Sequence, residues 1–259
     1  MKSRILFPFL VLAGVILLVG LACGTTPTTT PSPPPIQIQP TQPPPIQIQP
    51  TQPPPTEALT EAPTEAPAEA PAYFTEEFDN PIPNWTYFLM GEGDEEKFNI
   101  SEDNGYLVFD LKGEHLIPYL TYDPWIYKNV RIDARAENRG YNTNWVSLIC
   151  RYNPDVGWYE FNIGNDGLYT IYAYDNVLIK GYENLFNGGS TAIRSGRNVN
   201  DYTVICDDNT LSLYINGVEV RTIKEKKFNF SEGQVGISVT SYDVIPIIVA
   251  FDWVTISEP

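Results

Sequence analysis

Carboxylates, one histidine, three cysteines and a set of strand aromatics are the residues of this chain with chemistry to offer. Glycosidic cleavage needs two carboxyl groups flanking the bond. Two Glu-x-Asp pairs occur, Glu77/Asp79 and Glu92/Asp94, while Glu160 stands apart in GWYEFNIGNDGLYTIYAY. His115, in KGEHLIPY, is the only histidine. With no catalytic signature near it, it supports neither a nucleophile triad nor a histidine metal cluster. Calcium asks only for carbonyls and scattered Asp or Asn oxygens. Asp103, Asp166, Asp207 and Asp208 could supply them, although each stands at an expected turn, where turn chemistry already accounts for it. Calcium is therefore left open, and the acidic run GEGDEEK at 91–97 reads as a solvated loop.

The cysteines are Cys23, Cys150 and Cys206, and the first has a distinctive setting. Lys2 and Arg4 precede an uncharged, apolar run at 5–22, the pattern of an export signal. Gly20-Leu21-Ala22-Cys23 resembles a bacterial lipobox, with Ala22 as the small residue before an acylated Cys23 and Gly20 in place of the usual leucine. That makes 1–22 a signal peptide. The other reading is an uncleaved transmembrane anchor, since 18 apolar residues just suffice to span a bilayer. Either way the remainder lies outside the cytoplasm. In an oxidising compartment Cys150 and Cys206 can then pair, or they stay as two buried thiols. The NWT, NIS and NFS sequons at 84, 99 and 229 carry little weight beside a bacterial lipobox.

Beyond Cys23, PPPIQIQPTQ is written twice, at 33–42 and 43–52, and leads into TEALTEAPTEAPAEAP at 56–71. Proline fixes φ and removes the amide donor, so neither helix nor sheet runs through such a segment. Residues 23–72 read as a disordered, semi-rigid stalk. At ~3 Å per residue it could reach on the order of 100 Å. Residues 73–259 are ample for one domain with a real core. The chain carries a formal charge of −16, nearly all of it on this domain. Such an acidic domain excludes nucleic acid and anionic lipid surfaces as natural partners.

The elements that must position any site are strands. No sustained 3.6-residue periodicity occurs in 73–259, and short alternating runs are punctuated by Asn-Gly and Asp-Gly. FNISEDNGYLVFDL turns at Asn104-Gly105, with Phe98, Ile100, Leu107, Phe109 and Leu111 on one face. LSLYINGVEVRT turns at Asn216-Gly217, with Leu211, Leu213, Ile215, Val218 and Val220 buried. The third hairpin closes through a three-residue loop, Asn165-Asp166-Gly167, with Gly167 left-handed. Its core face is Tyr159, Phe161, Ile163, Tyr169, Ile171 and Ala173. In VSLICRYN, Val146, Leu148, Cys150 and Tyr152 should face in, and Arg151 and Asn153 out; in DYTVICDD, Tyr202, Val204 and Cys206 face in.

The stretches SLICRYN…GWYEFNIGNDGLYTI, DYTVICDDNTLSLYINGVEV and GQVGISV…VAFDWVTI resemble the concanavalin A-like lectin/glucanase superfamily. The likeness is greatest to laminin G-like domains and their relatives in bacterial envelope lipoproteins. It implies an all-β, two-sheet antiparallel jelly-roll sandwich. Laminarinase-type enzymes of that fold carry Glu-x-Asp-x-x-Glu on one strand. Here Ile82 and Lys97 stand where the second glutamate would follow each Glu-x-Asp pair. The motif is absent, and the expectation is a chain that is not an enzyme.

The outer face of the third hairpin gathers Trp158, Tyr172 and Tyr174, with Arg151, Glu160 and Asn162 beside them. Sugar rings rest on aromatic planes, and their hydroxyls take polar neighbours. The expectation is a surface-tethered, non-catalytic module binding extracellular or cell-wall glycan through these six residues. Two alternatives stand beside it. One is a structural or protein-interaction domain, with the aromatic face covered and part of the core. The other is a glycoside hydrolase using carboxylates that no motif marks.

Overall fold

The computed structural model describes residues 70–259. The apolar leader, Cys23, and the repeats up to residue 69 lie outside those residues. Strand is the dominant regular element of the described chain: β1 (Phe74–Glu76), β2 (Trp85–Gly91), β3 (Phe98–Glu102), β4 (Leu107–Leu111) and β5 (Leu116–Tyr127) come first. They are followed by β6 (Val130–Asn138), β7 (Trp145–Asn153), β8 (Gly157–Gly164), β9 (Leu168–Asp175) and β10 (Gly181–Gly189). The last are β11 (Val199–Asp207), β12 (Thr210–Ile215), β13 (Val218–Lys224), β14 (Gly233–Thr240) and β15 (Ile247–Ser257).

These form two antiparallel sheets. One is ordered β13-β12-β11-β6-β15-β4-β3, with β1 pairing the second half of β15; the other is ordered β10-β9-β8-β7-β14-β5-β2. The expected sandwich is the observed architecture. Its core lies between the sheets, where Phe109, Leu111, Ile132, Leu148, Phe161, Ile171, Val204, Leu213 and Phe251 are fully buried. The disulfide Cys150–Cys206 ties β7 in one sheet to β11 in the other.

The hairpins form as their turn residues require. Asn104 and Gly105 both take positive φ (53° and 76°), as do Asn216 and Gly217 (52° and 77°), which is the demand of a type I′ turn. In the third hairpin Ile163 opposes Tyr169 and Gly167 has φ 94°, so the loop is Asn165-Asp166-Gly167. All six predicted core residues of that hairpin are buried.

Irregularities in two strands, β7 and β13, overturn the faces expected from alternation. β7 bulges between Cys150 and Asn153, with Arg151 at φ 57°. The extra residue inverts the local parity. Arg151 turns to the inner side, where its Nε and Nη1 donate to the Lys128 and Phe230 carbonyls (3.0 and 2.8 Å). Tyr152, expected inside, packs on the other face against Phe88 and Trp158. β13 also shifts register, so that Leu213 opposes Arg221. Val218, expected in the core, is exposed, and the Arg221 guanidinium lies over the Phe186 ring at 3.6 Å.

Candidate ligand-binding site

The outer face of the seven-stranded sheet is concave enough to close on itself. β8 and β2 are four strands apart, roughly 19 Å in a flat sheet. Yet the Phe88 ring of β2 lies 6.1 Å from Trp158 of β8, and 4.8 Å from both Tyr119 and Tyr152. From the opposite edge, Tyr182 of β10 brings its hydroxyl within 2.6 Å of the Tyr119 hydroxyl and 4.0 Å of the Met90 sulfur. Side chains from both edges therefore bridge the face and build a second apolar cluster over it, with Tyr119, Ile149 and Trp158 at its centre.

The cross-strand pairs on this face are Trp158–Tyr174, Glu160–Tyr172 and Asn162–Thr170. Trp158 stacks on Tyr174 with ring centroids 4.1 Å apart and is only 3% exposed. It is a packed residue of the second cluster rather than an open platform. Tyr172 and Tyr174 are half-buried, and Tyr182 meets both edge-on (5.4 and 4.9 Å). Arg151 does not border the face: the bulge carries it to the other side of the sheet.

Glu160 is also buried, and its carboxyl is occupied. The Tyr119 hydroxyl (2.6 Å) and the Trp158 indole N–H (3.2 Å) donate to Oε2, and the Ser147 hydroxyl donates to Oε1 (2.9 Å). These donors favour the carboxylate, but burial outweighs them and raises its pKa above 4.5. The same burial, beside Glu160, drives the Tyr119 hydroxyl well above the usual tyrosine range. Glu160 organises the aromatic bridge from beneath.

Beside the bridge a cavity of about 130 Å³ remains, lined by Ile117, Glu160, Asn162, Tyr172, Tyr182, Thr240 and Tyr242. Asn162 Oδ1 is buried there without a hydrogen-bond partner. A buried orphan acceptor is costly, and it is a ready receiver for a hydroxyl or N–H brought by a ligand. Tyr182 and Tyr242 are partly exposed at the mouth, as a stacking wall requires. Of the six residues expected from sequence, the structure brings Glu160, Asn162 and Tyr172 to this cavity, leaves Trp158 and Tyr174 in the adjoining cluster, and removes Arg151. Sequence reasoning missed Ile117, Tyr182 and Tyr242. They reach the cavity only through the sheet order and its curvature, which alternation within one hairpin does not encode.

The aspartates considered for calcium are used locally: Asp166 Oδ1 accepts the Leu168 amide (3.0 Å) in the hairpin loop, Asp103 flanks the Asn104-Gly105 turn, Asp207 ends β11 and Asp208 lies in the turn that follows. Among the described residues Glu114, His115 and Asp243 do gather, all exposed, with His115 Nε2 3.3 Å from Asp243.

No protein-family model matches the chain, and no curated protein sequence does. Solved structures share its fold. The laminarinase catalytic domain of Thermotoga maritima is 14% identical with a TM-score of 0.54, over 72% of this chain and 97% of that one. The β-glucanase of Bacillus licheniformis is 12% identical with a TM-score of 0.53, over 73% of this chain and 99% of that one. A Bacillus subtilis protein described as having a galectin-like fold is 10% identical with a TM-score of 0.56, over 73% and 96%. At such identities the likeness establishes the concanavalin A-like fold and nothing finer. It does correct one expectation. The missing strand motif points to a chain that is not an enzyme, yet the sandwich is one that named glucanases use, so that exclusion falls.

Proposed function

We propose that the protein engages carbohydrate at the cavity beside the aromatic bridge. The observation that carries this reading is Asn162 Oδ1, an unpartnered buried acceptor in a small cavity walled by tyrosines. A sugar ring offers both a hydroxyl for that oxygen and a C–H face for Tyr182 or Tyr242. At about 130 Å³ the cavity suits one ring or a chain end rather than a long oligosaccharide. Glu160 is the one carboxyl in its lining. We further propose that the domain is laminin G-like and begins near residue 73, held to the envelope membrane by an acylated Cys23 and presented on the 23–72 stalk. Palmitate label persisting in a Cys23→Ser variant would remove that anchor from the reading.

The test is a glycan array probed with the purified protein, with reducing ends assayed on every glycan retained. Binding should weaken about ten-fold or more in Asn162→Ala and Tyr242→Ala. Release of new reducing ends would extend the reading to hydrolysis. Retention unaffected by both substitutions would move carbohydrate away from this cavity.

A further inference from the structure

A second cavity, of about 220 Å³, lies at the other end of β14, under the loop joining β13 to β14. Its lining includes Lys128, Arg151, Asp208, Asn209, Asn229 and Ser231. Three of these, Arg151, Asp208 and Asn229, hold positive φ (57°, 45° and 53°). Left-handed non-glycine residues are uncommon, and they persist where surroundings over-determine them. Here they converge on one hollow.

Arg151 is the unusual member. It is 2% exposed, its Nε and Nη1 are spent on backbone carbonyls, and its Nη2 has no partner. Among the described residues no carboxylate forms an ion pair with it. Of the two acidic residues in the lining, Asp208 and Glu225, the latter is fully engaged elsewhere: Oε1 accepts the Lys227 and Phe228 amides, and Oε2 accepts the Asn229 amide and the Tyr159 hydroxyl. A buried guanidinium without a counter-charge is expensive. Burial accordingly lowers its pKa, against the pull of Asp207, Asp208 and Glu225. Lys128, at the same hollow, has no salt-bridge partner among the described residues either.

We propose that this cavity binds a carboxylate-bearing saccharide, of the hexuronate class, with its carboxylate on Arg151 and Lys128. Guanidinium and ammonium together suit a monoanion. Asp208 and Glu225 in the same lining oppose a phosphate dianion. Asp208, Asn209, Asn229 and Ser231 supply oxygens that accept from several hydroxyls at once, which a sugar brings and a bare inorganic anion does not.

The experiment is calorimetric titration of the whole protein with glucuronate, glucose and inorganic phosphate at fixed ionic strength. Glucuronate should bind at least ten-fold tighter than either of the others. Lys128→Ala and Asn209→Ala, both outside the core, should each weaken it about three- to ten-fold. Arg151→Gln should abolish it, with far-UV circular dichroism verifying the fold. Tyr242→Ala, in the other cavity, should leave glucuronate binding unchanged. Equal affinity for glucose or for phosphate would overturn the proposal, as would binding indifferent to Lys128→Ala and Asn209→Ala.

Discussion

Glu160 is where side-chain chemistry and stability meet. Its three donors arrive from β5, β7 and β8 itself, so one carboxyl ties together the floor of the aromatic bridge. Glu160→Gln preserves this: the amide oxygen can take Tyr119 and Trp158, while the NH₂ donates to Ser147. Glu160→Ala would orphan all three donors and cost at least about 2 kcal/mol. The pH dependence separates the charge from the hydrogen bonds. Burial raises the folded-state pKa above 4.5, so between the unfolded and folded values the native state holds more protons. Its stability therefore falls as pH rises through that window. Denaturant titrations from pH 4 upward should show wild type losing ground relative to Glu160→Gln as pH increases. Parallel curves would mean the carboxylate is fully compensated where it lies. Sequence placed Glu160 correctly beside Tyr172, but as a wet residue on an open face. Ser147 and Trp158 are near it in the chain, but the ring that donates from above, Tyr119, comes from β5, a strand not adjacent in sequence.

At the scale of the element, the bulge in β7 decides which residues reach which cavity. It exchanges Arg151 and Tyr152, moving the cation to one side and the aromatic ring to the other. Across the ladder Gln234 of β14 pairs with Tyr152, and beside it stands Gly233, where a Cβ would lie 2.3 Å from the Arg151 carbonyl carbon and 2.5 Å from the Tyr152 oxygen. Only a residue without a side chain lets β14 approach the swollen strand. Gly233→Ala should destabilise the protein by roughly 1–3 kcal/mol, the ordinary range for overpacking. Gly181→Ala, where an added Cβ meets nothing within 4 Å, should stay within about 0.5 kcal/mol. Similar denaturation midpoints for the two variants would show that β14 can yield.

The same element shows the reach of sequence reading. Asn104-Gly105, Asn216-Gly217 and Asn165-Asp166-Gly167 announce their turns by residues that tolerate positive φ, and the hairpin faces follow by parity except in β13, where the register shift leaves Val218 exposed. The β7 bulge has no such signal, because its left-handed residue is an arginine. The concavity that brings Phe88 and Tyr182 over Trp158 belongs to seven strands at once. Trp158, which alternation puts on an open platform, is therefore a core residue of the second cluster, and truncating it to alanine would excavate that cluster.

The whole molecule is two sheets packed face to face, and Cys150–Cys206 is the covalent bond between them. Both cysteines are fully buried, on strands that occupy interior positions in their sheets. The bridge spans a sequence separation of 56 residues. On the chain-entropy account, closing such a loop removes unfolded-state freedom equivalent to roughly 4 kcal/mol. For a domain approaching 200 residues, each kcal/mol moves the melting temperature by about 2–4 °C, so the loss amounts to about 8–16 °C. A Cys150→Ala/Cys206→Ala variant should melt lower by that amount while keeping its strand signature. Because the sulfurs are enclosed, reductant added to the native protein should leave both thiols unalkylated until the sandwich opens, and reductant present during melting should reproduce the variant. A double variant melting with wild type would mean that packing alone holds the sheets together. Rapid alkylation of the reduced, folded protein would mean that the sheets separate readily enough to admit solvent to their centre.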